Sequence, residues 1–120
     1  MPLTINIPAG TTFKLPMWFK DASGAFVNLT GCRGRMQFRR QFTSPTPALN
    51  LTTENGGLTF NGPDDDYRID VLISESQTRS LSTNPPRDKY VYDGEIEFPN
   101  LEVLRLIEGT AFVTAEVTRD

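Results

Sequence analysis

The feature that most constrains this chain is the alternation of its apolar residues. From Thr12 to Lys20, Phe13, Leu15, Met17 and Phe19 fall on one side, and Lys14, Pro16, Trp18 and Lys20 on the other. Side chains alternate across a pleated strand, so a period of two specifies a strand with one buried face. Pro16 has no N–H to give a ladder, which places this strand at a sheet edge or a bulge. The alternation returns from Cys32 to Arg40. There Cys32, Gly34, Met36 and Phe38 form the core side, and Arg33, Arg35, Gln37 and Arg39 the solvent side.

Further strands are predicted over 49–53, 58–60, 67–73, 90–98 and 103–108, and a last one from Ala111 to Thr118 after Gly109-Thr110. In 90–98, Tyr92, Gly94, Ile96 and Phe98 share one face, and Asp93, Glu95 and Glu97 the other. Turn signals separate the strands: Asp21-Ala22-Ser23-Gly24, Asn28-Leu29-Thr30-Gly31 and the cluster from Asn61 to Asp66. Asn55-Gly56-Gly57 predicts a hairpin joining 49–53 to 58–60, because residues that accept positive φ suit the primed turns. Thr43 to Ala48, with Pro45 and Pro47, predicts an extended loop, and Ser82 to Lys89, broken by Pro85-Pro86, a polar one. The one helical piece is Ser74 to Leu81, with Ser74 and Gln77 spaced as a capping box. Short strands separated by turns indicate one all-β domain over residues 1–120, an antiparallel sandwich or barrel with at most one short helix.

Composition then narrows the function. The chain has 120 residues, 12 basic and 15 acidic, a net charge of −3, no His and one Cys. Without His there is no Ser-His-Asp or Cys-His catalysis and no His-ligated zinc. A lone cysteine builds no internal disulfide framework. The weak acidity speaks against nucleic acid as a partner, because such proteins carry a basic patch or stripe. No apolar run approaches the roughly 20 residues of a membrane helix. Met1-Pro2-Leu3-Thr4 lacks the pattern of a secretory leader, so the expectation is a protein made in a reducing cytoplasm.

Five groups of residues are candidates for function. Asp64-Asp65-Asp66 has the oxygen chemistry for a hard cation, but three consecutive acids point in different directions, which favours a solvated turn. Arg33, Arg35, Arg39 and Arg40, the first three on one strand face, suit a carboxylate or phosphate partner, or acids across the sheet such as Glu95 and Glu97. Glu95 and Glu97 stand about 7 Å apart on one face, a spacing also found in glycosidases, although alternating acids are ordinary on a solvent-facing strand. Trp18, opposite the core side of its strand, is a candidate anchor for a binding surface, unless a second layer covers it. Leu3, Ile5 and Ile7 alternate between Pro2 and Pro8. They form a strand that folds back on its own sheet or pairs with a neighbouring subunit. Neither an enzyme nor a cofactor is expected.

In order along the chain stand Ile5 and Pro8-Ala9-Gly10-Thr11-Thr12-Phe13, Trp18-Phe19-Lys20-Asp21-Ala22-Ser23-Gly24, Asn28-Leu29-Thr30-Gly31 and Arg35-Met36-Gln37-Phe38-Arg39. They are followed by Leu58-Thr59-Phe60, Ile73-Ser74 with Thr78, Tyr92-Asp93, Val103-Leu104-Arg105-Leu106-Ile107-Glu108-Gly109-Thr110 and Glu116-Val117-Thr118-Arg119. This series resembles a family of small structural proteins of tailed bacteriophages, chiefly cyanophages. The first half is similar, more loosely, to the Ig-like N-terminal domain of phage upper-baseplate proteins. The chain departs from the family pattern at Cys32, where an aromatic is usual, and at Asp93-Gly94-Glu95.

The resemblance implies an Ig-like β-sandwich and a non-enzymatic virion component, assembled in the host cytoplasm. Its partners would be other virion proteins, with the chain present in several copies or as a homo-oligomer. A tail, baseplate or fibre position is the first expectation, and a capsid-decorating protein the alternative. A carbohydrate-binding module stacking sugars on Trp18, Tyr90 or Tyr92 is the alternative of another class. The interface candidates are Leu3, Ile5, Ile7, Trp18, Arg33, Arg35, Arg39, Pro45 and Pro47.

Overall fold

The alternating runs form strands, and the buried sides of two sheets face one another. The computed structural model describes residues 3–117. Its strands are β1 (Ile5–Pro8), β2 (Phe13–Met17), β3 (Arg33–Arg39), β4 (Leu49–Thr52), β5 (Leu58–Phe60), β6 (Ile69–Ile73), β7 (Arg87–Glu97) and β8 (Val103–Thr114). One helix, α1 (Glu75–Ser80), lies between β6 and β7, and Pro63–Asp65 form a single 3-10 turn. The large sheet has the order β1-β8-β7-β3-β4 and the small one β2-β6-β5. Met36, Phe38, Tyr92, Ile96, Ala111 and Val113 from the large sheet bury themselves against Leu58, Ile69, Val71 and Ile73 from the small one. β2 is an edge strand, in keeping with Pro16, and its Phe13, Leu15 and Met17 are half-buried along one flank.

The fold is all-β, as the alternation requires, but four local expectations need correction. First, Asn55-Gly56-Gly57 does not close a hairpin. β4 pairs with β3 and β5 with β6, so the turn carries the chain from one sheet to the other. Of these residues only Gly56 takes a positive φ (82°), whereas a type I′ turn needs two in succession. The Thr53 N–H also reaches the Gly34 carbonyl, which holds β4 on β3. Second, the segments 103–108 and 111–118 are one strand to Thr114, because Gly109 continues the ladder opposite Tyr92. Residues 115–117 lie beyond the strand, and Thr118 lies outside the described residues. Third, β7 begins at Arg87, so only the first part of 82–89 is loop. Fourth, β1 runs parallel to β8, the one parallel pair among the described residues.

The helix follows its local code. The Ser74 hydroxyl accepts from the Gln77 N–H (3.2 Å), and the Gln77 side chain accepts from the Ser74 N–H (2.8 Å). A helix of six residues is too short to hold itself together in water. It is secured by Thr78, whose buried hydroxyl donates to the Thr11 carbonyl (2.7 Å) and accepts from the Gly10 N–H (3.1 Å). Ser74→Ala removes one half of the capping box. A loss of about 1 kcal/mol in unfolding free energy is expected by urea titration.

Candidate functional site

The outer face of the large sheet carries most of the charged candidates. β3 presents Arg33, Arg35 and Gln37, and the register sets them opposite Glu97, Glu95 and Asp93 of β7. Arg33 Nη2 lies 3.3 Å from Glu97 Oε1, and Arg35 Nη2 lies 2.9 Å from Glu95 Oε1. Gln37 donates to Asn50 Oδ1 of β4 (3.2 Å). On the other side of β7, Arg105 of β8 lies near Asp93 (3.7 Å) and Glu108 (3.5 Å). Arg39, set opposite Val91 rather than an acid, donates to the Ser44 carbonyl (2.7 Å) and to Gln37 Oε1 (2.9 Å), which fixes the start of the loop bearing Pro45 and Pro47.

The arginine stripe therefore meets acids of its own chain. These pairs are open to water, where an ion pair contributes little. Arg35→Ala is expected to change stability by less than about 1 kcal/mol in a urea titration. The shallow cleft on this face, about 240 Å³, is lined by both signs of charge, from Arg33 and Arg35 to Glu54, Glu95 and Glu97.

The remaining candidates scatter. Trp18 is 49% exposed, and its Nε1 donates to the Asp65 carbonyl (3.2 Å), which lays the ring beside the 3-10 turn. Of the three acids in that turn, Asp65 faces Arg68 (3.6 Å). Among the described residues no three acids, cysteines or histidines come together as a metal site. Ile5 and Ile7 are buried in the chain's own core through β1, so they are not free for a neighbour while β1 is docked. Leu3 remains exposed, Pro45 is exposed and Pro47 is half-buried. Tyr90 and Tyr92 are buried, which removes them as platforms for a sugar.

Those two tyrosines belong to a cluster that the alternation alone does not reveal. The Tyr90 hydroxyl donates to the Leu81 carbonyl (2.6 Å) across the corner before β7. A tyrosine so placed at the entry to the penultimate strand is a hallmark of immunoglobulin-like sandwiches. Tyr92 stands two residues later, where antibody domains carry the second cysteine of their intersheet disulfide. Here its ring packs on Phe38, with centroids 5.3 Å apart, and its hydroxyl donates to the Leu3 carbonyl (2.5 Å). Burial pushes the Tyr92 phenol up to about 12.

Asp88 sits beneath the same corner with its side chain fully buried. It accepts from the Thr83 N–H (2.9 Å), the Asn84 N–H (3.1 Å) and the Thr83 hydroxyl (2.8 Å), and pairs with Arg40 Nη2 (2.8 Å). The Arg40 guanidinium also stacks 4.3 Å from the Tyr90 ring centroid. Burial pushes the Asp88 carboxyl up, but the donors from Asn84, Arg40 and Thr83 outweigh it and bring it to about 2. The spacing Asp88-x-Tyr90-x-Tyr92, after a proline-broken loop, is the sequence signal for this corner.

No family model matches the sequence, and no curated protein matches it. Solved structures do. Tim-2 is 12% identical, with 100% of this chain and 98% of that one covered and a TM-score of 0.51. A structure from photo-crosslinking work on multimeric cell-adhesive interactions of VGSC beta subunits is 14% identical, with 98% and 93% covered and a TM-score of 0.49. At these identities the likeness concerns fold alone. With the two-sheet order and the tyrosine at the corner, it defines the class: the chain folds as an Ig-like β-sandwich.

Proposed function

We propose that this domain is a non-enzymatic structural component of a tailed-bacteriophage virion, placed in the tail, baseplate or fibre region, where it holds neighbouring virion proteins together. The observation that carries the proposal is the ordered series of motifs from Ile5 to Arg119 that resembles the phage family. Several of these motifs fall where the sandwich needs special backbone. Gly10, Gly24 and Gly31 take positive φ at its corners, and Ser74 caps α1. The pairing of Arg33 with Glu97 and Arg35 with Glu95 fits a scaffold better than a glycosidase, whose two carboxyl groups must face a substrate.

The test is mass spectrometry of density-purified particles, combined with antibody-gold labelling. The expected result is the intact chain in particles, with gold on the tail or baseplate. Gold over the head would replace this position with the capsid-decorating one. Absence from purified particles would overturn the virion role.

A further inference from the structure

Besides its edge strands β1 and β4, the large sheet has an open stretch along β8. β1 covers β8 only from Ala111 to Thr114, with one further bond from the Leu3 N–H to the Glu108 carbonyl (2.9 Å). From Val103 to Ile107, β8 has β7 on one side and, among the described residues, no strand on the other. Exposed apolar side chains gather along this stretch: Leu101 (72%), Val103 (53%) and Leu104 (44%), with Leu3 (44%) at its far end.

The other edges are blunted in ways that natural sheets use against unwanted pairing. β2 carries Pro16, and β1 ends in Pro8. On β4 the Asn50 carbonyl is already taken by the Asn55 side chain (2.9 Å). β5 is only three residues long.

We propose that the open stretch of β8 pairs antiparallel with the same stretch of a second copy of this chain, about a two-fold axis at Leu104. Such a contact is isologous, so each residue's match must lie on the same short segment. Leu104 shares the inner face with Ile96, whereas Val103 and Arg105 share the outer face with Glu97 and Glu95. An axis at Leu104 sets Leu104 against its own copy and Val103 against the partner's Arg105, which keeps both faces in register.

Charge then fits as well as shape. The partner's Arg105 arrives two strands away from Glu97, about 10 Å between backbones. Only the small Val103 lies between, and an Arg and a Glu side chain together span that gap. The regular ladder runs from Val103 to Arg105, because β8 is bulged before Ile107. Val103 and Leu104 are covered by it, and the partner's Leu101, in the turn before its own β8, lies just beyond its end. The pairing stands apart from the virion proposal, because it concerns the isolated chain in solution.

Sedimentation velocity of the full chain over rising concentration tests it, together with disulfide trapping in a Cys32→Ser background. The expected result is a reversible dimer. Leu104→Cys should trap this dimer under mild oxidation, and Leu72→Cys, on the small sheet, should not. Val103→Arg keeps an ion-pair partner for its own Glu97 but opposes the partner's Arg105 twice. It is expected to weaken the dimer at least about tenfold. A chain that stays monomeric at every concentration overturns the proposal. So does a dimer that Leu104→Cys fails to trap, or one that Val103→Arg leaves intact.

Discussion

Asp88→Asn is expected to lower the unfolding free energy by about 3 kcal/mol in a urea titration. The carboxylate is buried and serves the Thr83 and Asn84 N–H groups, the Thr83 hydroxyl and Arg40. An amide supplies only one acceptor oxygen, and its NH₂ meets donors. Part of the corner before β7 is left unsatisfied, and a buried group without a partner costs more than the hydrogen bond it made. Domains of this size are stable by about 5–15 kcal/mol, so the loss is a large share of the total.

Arg40→Met separates the two contributions. It deletes the ion pair but leaves the backbone donors in place, and Arg40 is partly exposed. A smaller loss, about 1–2 kcal/mol, is expected from it. Equal losses from both variants would mean that the ion pair alone carries the corner.

The same carboxylate gives the domain an acid limit. Its folded value, about 2, lies below the ordinary 3.8. A depressed carboxylate stabilises the fold at pH above its unfolded value and loses that contribution as pH falls through its folded one. The shift corresponds to about 2 kcal/mol. Thermal melts from pH 6 down to about 2 should show Tm falling most steeply below pH 4. In Asp88→Asn the curve should be flatter.

Gly109→Ala is expected to cost about 3 kcal/mol or more and to free the N-terminal strand. A Cβ at this position would run into the Leu3 backbone, with its carbonyl oxygen nearest. That carbonyl also accepts from the Tyr92 hydroxyl, so the clash and the lost bond act on the same atoms. Relief requires β1 to lift off β8. Lifting exposes Ile5 and Ile7, and each buried isoleucine contributes about 1.5–3 kcal/mol. Hydrogen exchange gives the local readout. The amides of β1 should exchange fast in Gly109→Ala, while those of β3 and β6 stay protected. Uniform loss of protection would mean that β1 is not a separate docking unit.

Gly109 also shows where sequence and structure part. A glycine within an alternating run marks a turn, a bulge or the close approach of another backbone, and nothing local distinguishes these. The neighbour, Leu3, is more than 100 residues away in sequence, just before β1. Asn55-Gly56-Gly57 misleads for a related reason. Its turn is real, with the Gly57 N–H on Asn55 Oδ1 (2.9 Å), but the chain crosses there to the other sheet, and Leu51 of β4 packs against Gly57. That side chain lies so close to Gly57 that a Cβ there would stand 2.7 Å from it.

What local chemistry dictates was legible. The core faces of β3 and β6, the edge position imposed by Pro16, and the Ser74–Gln77 box all follow from spacing. So did the matching of Arg33 and Arg35 to Glu97 and Glu95, because strand alternation leaves those acids on the facing side. The Asp88–Tyr90 corner was not, since it needs the loop at 81–84 to fold under β7. The open edge of β8 was not either, because it depends on where β1 stops.

The measurement closest to the central claim is a density map of the phage particle resolved finely enough to trace side chains. The expected result is this sandwich in the tail, baseplate or fibre region, contacting its neighbours through strand edges and loops. A map that accounts for every protein of the particle without this chain would contradict it.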